Sequence, residues 1–196
     1  MHTKEPNSRL EGLDLARYLA FVGMVIVNFN VAMGTDADHS SLQRVVSALH
    51  GRAAAVFVVL AGIGLGLGSA KRANARPLIV RRACFLLVLG LLDTTIFSAD
   101  ILHYYAFYFL FGVLFLKQDA RVLTAGIVGV TVAFVSLTFA FDCGTSWNWS
   151  DYSYRDLWSP TGFLRNLFFN GWHPVFPWLG FLLFGLLLAR MPLRER

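Results

Sequence analysis

Apolar residues run along this chain in six long blocks, about 15–33, 50–70, 79–97, 101–117, 122–141 and 173–190, parted by polar breaks. Each block approaches the roughly 20 mostly apolar residues with which an α-helix crosses the hydrocarbon core of a bilayer. The pattern predicts an all-α fold: a polytopic membrane bundle of six helices, with residues 1–196 forming one domain. One long connection, about 142–172, joins the fifth and sixth helices. Its run Trp147, Trp149, Tyr152, Tyr154 and Trp158 suits the headgroup region, as an amphipathic anchoring segment or as a lid and sugar-stacking platform.

At 56% hydrophobic and 15% charged residues, the chain is too apolar to show water a polar surface, which excludes a soluble domain. The cations separate two faces. Lys4, Arg9, Lys71, Arg72, Arg76, Arg81, Arg82, Lys117, Arg121, Arg190, Arg194 and Arg196 fall on one side of the predicted bundle. The other side has Arg44, Arg52, Arg155 and Arg165, diluted by Asp36, Asp38, Asp142, Asp151 and Asp156. The positive-inside rule then places both termini in the cytoplasm, and we expect a multi-pass protein of a plasma (inner) membrane. The net charge of +5 reads as anchoring against anionic membrane lipids, with no nucleic-acid partner. The first block is long and lacks a small-x-small cleavage site, so it is expected to stay as a helix rather than leave as a signal peptide. Cys84 and Cys143 are expected about a bilayer thickness apart and therefore unpaired.

Charge is costly in hydrocarbon, so ionisable groups at the helix ends mark candidate function. Asp100 and His103 stand three apart at the outer mouth of the fourth helix. There a carboxylate can accept from one imidazole nitrogen, fix the tautomer and leave the other nitrogen as a base. The plainer alternative is that His103 caps the helix at a wet interface beside Tyr104 and Tyr105. Asp93, seven residues earlier, adds a carboxylate toward the same cavity. His50 opens the second helix with Arg52 close behind, and His173 opens the sixth after Trp172, so three histidines converge on the outer face. None has the spacing of a zinc site, and no metal is expected. His2 and His39 read as plain tail and loop residues.

On the cytoplasmic face Asp14 and Arg17 stand three apart and pair. The pair either sets the depth of the helix or, with Arg81 and Arg82, turns Arg17 toward an anionic cofactor. Asn28, about three turns above Arg17, is read as a buried amide that needs partners. Gly62/Gly66 and Gly64/Gly68 are two small-x-x-x-small pairs for close helix packing; a phosphate loop is excluded because no strand precedes them.

Taken together, these motifs resemble a known family. Gly12-Leu13-Asp14-Leu15-Ala16-Arg17 followed by Met24-Val25-Ile26-Val27-Asn28 is similar to the first helix of the transmembrane acyltransferases typified by heparan-alpha-glucosaminide N-acetyltransferase. Phe57 to Gly68, Arg81-Arg82 running to Asp100-Ile101-Leu102-His103-Tyr104-Tyr105-Ala106, and His173-Pro174-Val175-Phe176-Pro177-Trp178-Leu179-Gly180 with Gly185 and Arg190 extend the resemblance over nearly the whole chain. It implies acyl transfer across a membrane, from cytosolic acyl-CoA (acetyl-CoA) to a hydroxyl or amine of an envelope glycan or lipid-linked sugar. Asp14, Arg17, Asn28, Arg81 and Arg82 would then serve the CoA side. His50, Asp100, His103 and His173 would deprotonate the acceptor or carry the acyl group, and Arg52, Asp93 and Trp172 would touch the acceptor. The chain departs from the pattern at Tyr18, where the family usually has Gly. Relatives also generally continue into further helices, so a second copy or a partner membrane subunit is an expected companion. The competing readings are a non-catalytic membrane subunit and a proton-coupled carrier, the latter disfavoured by the lack of an internal repeat and of a helix broken at mid-membrane.

Overall fold

The computed structural model describes residues 11–33, 41–97 and 100–191; the expectations for His2, His39, Lys4, Arg9, Asp36, Asp38, Arg194 and Arg196 lie outside these. The six predicted helices are all present, with shifted ends: α1 (Glu11–Met33), α3 (Arg52–Ala70), α4 (Ala75–Asp93), α5 (Leu102–Phe115), α6 (Ala120–Ala140) and α8 (Val175–Leu188). Two further helices are α2 (Ser41–Leu49), before α3, and the short α7 (Pro160–Arg165), which runs into a π-helical turn at Asn166–Asn170. By length and composition three segments can cross a membrane: Glu11–Met33, Gln43–Ala70 and Ala120–Ala140. A fourth is formed if Pro160–Asn170 and Val175–Leu188, which meet at 49°, act as one bent span. α4 carries Arg76, Arg81, Arg82 and Asp93 within its 19 residues, and α5 has only 14. Both therefore fall short of a self-sufficient apolar crossing.

Local chemistry sets the helix starts. Asp119 caps α6 by accepting from the Val122 amide at 2.8 Å, and Ser159 caps α7 by accepting from Gly162 at 3.0 Å, with Pro160 at the first position. The break between α2 and α3 falls at Gly51, whose φ of +71° is the left-handed region that glycine reaches without strain.

Packing centres on α8. Its contact with α3 is the most extensive in the bundle, followed by α4 with α5 and α6 with α8. Gly62 of α3 lies directly against the Leu182 carbonyl and Gly185 of α8, and a Cβ on either glycine would run into the other helix's backbone. Of the two glycine pairs, Gly62 and Gly66 thus face α8, Gly64 faces the Arg17 guanidinium, and Gly68 faces open space. At Gly90, α4 approaches the backbone of His103 just as closely. Tyr104, Tyr108, Leu123, Leu167, Val175, Leu182 and Leu183 form the fully buried core. Outward faces of α1, α4 and α6 carry exposed Leu19, Phe29, Phe85, Val88, Val132 and Phe139, as lipid contact requires. Tyr18 is 63% exposed, so its bulk obstructs no helix contact where the family usually has glycine. Cys84 and Cys143 are both free, as expected.

The aromatic connection folds as a small cap rather than lying flat. Strands β1 (Trp147–Asn148) and β2 (Ser153–Tyr154) pair antiparallel, with Trp147 opposite Tyr154 and both rings buried. Asn170 ties this hairpin to the bundle. Its Nδ2 donates to the Cys143 and Thr145 carbonyls, its Oδ1 accepts from Tyr154, and its backbone carbonyl accepts from Trp147 Nε1 at 2.6 Å. Arg165 completes the anchor, donating to the Tyr154 hydroxyl at 2.8 Å, to Asp156 at 2.6 Å and to Ser146. The Ser146 hydroxyl, with Arg165 beside it, holds the Asp156 carboxyl below the usual carboxylate range against the opposing cost of desolvation.

Candidate active site

The amino end of α5 is the most polar buried point among the described residues. Asp100 and His103 are each 2% exposed. The Asp100 carboxylate accepts from the Leu102 amide (3.0 Å) and the His103 amide (3.1 Å), and its Oδ2 lies 2.7 Å from His103 Nδ1. The three-residue spacing thus does two things at once: it caps the helix and orients the imidazole. The cap is thus made by Asp100 rather than by His103, and His103 is buried instead of lying at a wet interface. Its Nε2 is buried without a partner.

Tyrosines of α5 hold the neighbouring segment in place. The Tyr104 ring lies tilted against His103 (3.8 Å) and meets His173 edge-on (6.1 Å), while its hydroxyl donates to Asn166 of the π-helical turn at 2.5 Å. Tyr108 donates to the His173 carbonyl at 2.5 Å. Regular helix geometry in α8 is interrupted at Phe176, so Gly171–Phe176 runs as a strip that presents Trp172 and His173. His173 packs edge-on against Trp178 (4.6 Å); its Nδ1 and the Trp172 Nε1 are buried without partners.

Two cavities adjoin this point, and a third adjoins one of them. An imidazole cavity of about 240 Å³ is lined by Asn28, His50, Ile101, Trp172, His173 and Trp178. A central cavity of about 480 Å³ is lined by Arg17, Asn28, Asp93, Asp100, Ile101 and Tyr105, with Phe21, Phe57, Leu86 and Phe109 as apolar walls. A basic cavity of about 440 Å³ is lined by Arg17, Gly64, Lys71, Arg72 and Arg82. Met24, Asn28 and Ile101 belong to both the imidazole and the central cavity, and Arg17, Ala61 and Phe109 to both the central and the basic one. The cavities are therefore neighbours in series. Arg17 stands at one junction, paired with Asp14 at 3.0 Å, and Asn28 at the other.

Most residues singled out from sequence thus gather along one line. Five fall elsewhere or differently: His103 and Asp14, which line none of these cavities, and Arg81, Arg52 and Asn28. Arg81 is exposed and lines none of these cavities, because it points away from the face of α4 that carries Arg82. Arg52 is exposed and donates to the Ala48 carbonyl at 2.6 Å, so it closes the α2–α3 break instead of facing the His50 cavity. Asn28 is not buried as expected; it borders two cavities. Sequence reasoning passed over Lys71 and Arg72, which looked like loop charges, and Tyr105, Trp178 and Asn166, whose side chains looked like ordinary apolar filler or loop polarity.

An apolar helical bundle that keeps a buried carboxylate–imidazole pair near two more histidines, with cations at the far end of a series of adjoining cavities, has the make-up of a membrane enzyme carrying out acid–base chemistry. The family model "Heparan-alpha-glucosaminide N-acetyltransferase, catalytic" matches residues 9–196, and the chain belongs to this family. Neither a curated protein nor a solved structure matches the chain. Membership marks it as a membrane acetyltransferase in general terms.

Proposed function

We propose that the protein moves an acetyl group from cytosolic acetyl-CoA to a hydroxyl or amine of an envelope glycan or lipid-linked sugar on the outer face of a bacterial plasma membrane. The observation that carries this reading is the series of three adjoining cavities, cationic at one end and lined by imidazoles at the other. In this reading the basic end is cytoplasmic, both termini lie there, and six helices cross the bilayer. Arg17, Lys71, Arg72 and Arg82 meet the CoA phosphates, for which guanidinium and ammonium donors are suited. The thioester lies in the central cavity, and the acceptor reaches the imidazole cavity between His50 and His173. One of these imidazoles takes the acceptor's proton as its oxygen or nitrogen attacks the carbonyl carbon. Tyr104, with the Asp100–His103 pair beside its ring, and Tyr108 hold the strip that carries His173. Trp172 bounds the acceptor, and Asp93 with Asp100 supplies carboxylate near the thioester.

The test uses the full chain in sealed proteoliposomes, with acetyl-labelled CoA in the compartment facing the basic end and glucosamine as the probe acceptor in the other. Labelled N-acetylglucosamine should accumulate on the acceptor side. It should fall about 10²- to 10⁴-fold in His50→Ala or His173→Ala protein that still inserts. Full activity in both variants, or no saturable binding of CoA, sinks the assignment.

A further inference from the structure

Three tyrosines lie close together on α5, and their hydroxyls are used differently. Those of Tyr104 and Tyr108 are committed to the Asn166 side chain and the His173 carbonyl. That of Tyr105 is buried and has no partner, although the residue is only 5% exposed. A buried phenol left without a partner is costly, so it marks a position where a ligand completes the bonding. The ring cannot turn to find one elsewhere, because it is wedged against Phe57 (5.7 Å), Tyr108 (5.4 Å) and Phe109 (6.2 Å).

Tyr105 lines the central cavity, whose other walls near it are apolar apart from the Asp93 and Asp100 carboxylates and Asn28. Ile101, four residues earlier and therefore on the same helix face about 6 Å along the axis, belongs to the junction with the imidazole cavity. A neutral hydrogen-bond donor thus stands midway along the central cavity, one helical turn from Ile101 at one junction and one from Phe109 at the other. The Asp93 and Asp100 carboxylates can only repel developing negative charge there, and Asn28, at the imidazole junction, is exposed where the Tyr105 hydroxyl is buried.

From this placement we infer that the Tyr105 hydroxyl donates a hydrogen bond to the thioester carbonyl oxygen and stabilises the charge that oxygen gains during transfer. The inference rests on the acetyl-CoA reading above. In the step, the acceptor's oxygen or nitrogen forms a bond to the carbonyl carbon and gives its proton to an imidazole. The carbon–sulfur bond then breaks, and CoA leaves as a thiolate that recovers the proton from the imidazolium. Tyr105 keeps its own proton throughout; it is an electrostatic donor, and such a donor in a dry site contributes about 10²- to 10³-fold in rate.

The decisive variant is Tyr105→Phe, which preserves the ring contacts and removes only the hydroxyl. The full-length variant in detergent should keep the melting temperature of the parent and bind acetyl-CoA within about twofold, while single-turnover transfer to glucosamine falls about 10²- to 10³-fold. Difference infrared spectra with carbonyl-¹³C acetyl-CoA give a readout that packing alone does not move. The bound carbonyl band should lie below that of free acetyl-CoA in the parent and return to the free position in the variant. An identical band in both proteins, or a rate loss under threefold, overturns the role of Tyr105 while leaving the acetyl-CoA reading intact. Failure of the parent itself to bind acetyl-CoA overturns both.

Discussion

The contact between α3 and α8 permits a quantitative test because it is backbone against backbone. In Gly185→Ala the new methyl would fall on the Val59 carbonyl, the Gly62 Cα and the Ile63 amide. None of these atoms can rotate aside, so the helices must separate. Overpacking of this kind costs at the upper end of the usual range, about 3 kcal/mol, and the better helix propensity of alanine returns about 1 kcal/mol. The expected net loss is about 2 kcal/mol, roughly a thirtyfold shift in the folding equilibrium. Gly68→Ala is the matched control: nothing lies within 4 Å of its Cβ position, so it should be neutral or stabilising by up to about 1 kcal/mol. Steric-trap unfolding in bicelles measures both. The same separation would alter the spacing between His50, at the α2–α3 break, and His173, at the head of α8, and a shift of about 1 Å in a reacting pair can cost 10²-fold in rate. Gly62→Ala combined with Gly185→Ala should cost less than the sum of the two, since both report one contact. Equal stability for Gly185→Ala and Gly68→Ala would refute the argument.

Other expectations concern the site and its cap. Asp100→Ala removes the acceptor of two backbone amides and of the His103 ring together, and should destabilise the fold by about 3 kcal/mol in the same assay; Asp100→Asn should recover part of that loss. Asn170→Ala deletes three side-chain bonds that hold the hairpin, so amide exchange across residues 143–159 should rise while α3 and α6 stay protected. Asp156 has a depressed folded-state pKa, so its contribution to cap docking is complete above the unfolded value and is lost as pH falls through the folded one. Tryptophan fluorescence of the cap should therefore change below about pH 4, and this step should be missing in Asp156→Asn. Under the proposed function Arg82→Ala should weaken CoA binding about tenfold by calorimetry, whereas Arg81→Ala should leave it unchanged.

Much of this arrangement is legible in the residues themselves because it is local. Helix positions follow from apolar block length, and the Asp100–His103 and Asp14–Arg17 pairs follow from three-residue spacing on one helix. What stays hidden depends on rotation and on distant segments. Arg81 and Arg82 are adjacent in sequence but about 100° apart around α4, and only packing decides which one lines the basic cavity. Asn166 acquires meaning from Tyr104, 62 residues away, and Asn170 from a hairpin more than 15 residues back. No periodicity announces either partnership. Tyr105 looks like part of an aromatic core, and only its unpartnered hydroxyl separates it from Tyr104 and Tyr108.

The position of Arg17 at the junction of the basic and central cavities has an electrical consequence. Under the proposed function the cavities run between the two membrane faces, where any continuous wet route would leak protons. A guanidinium at such a junction repels hydronium and metal cations, as fixed positive charges do in water-selective pores. Asp14 balances that charge from outside both cavities, leaving the guanidinium as the group that an incoming species meets. In the proposed function an anionic headgroup is met at this point, and a small neutral group attached to it lies beyond. The residue that greets the donor would thereby also keep the membrane insulated.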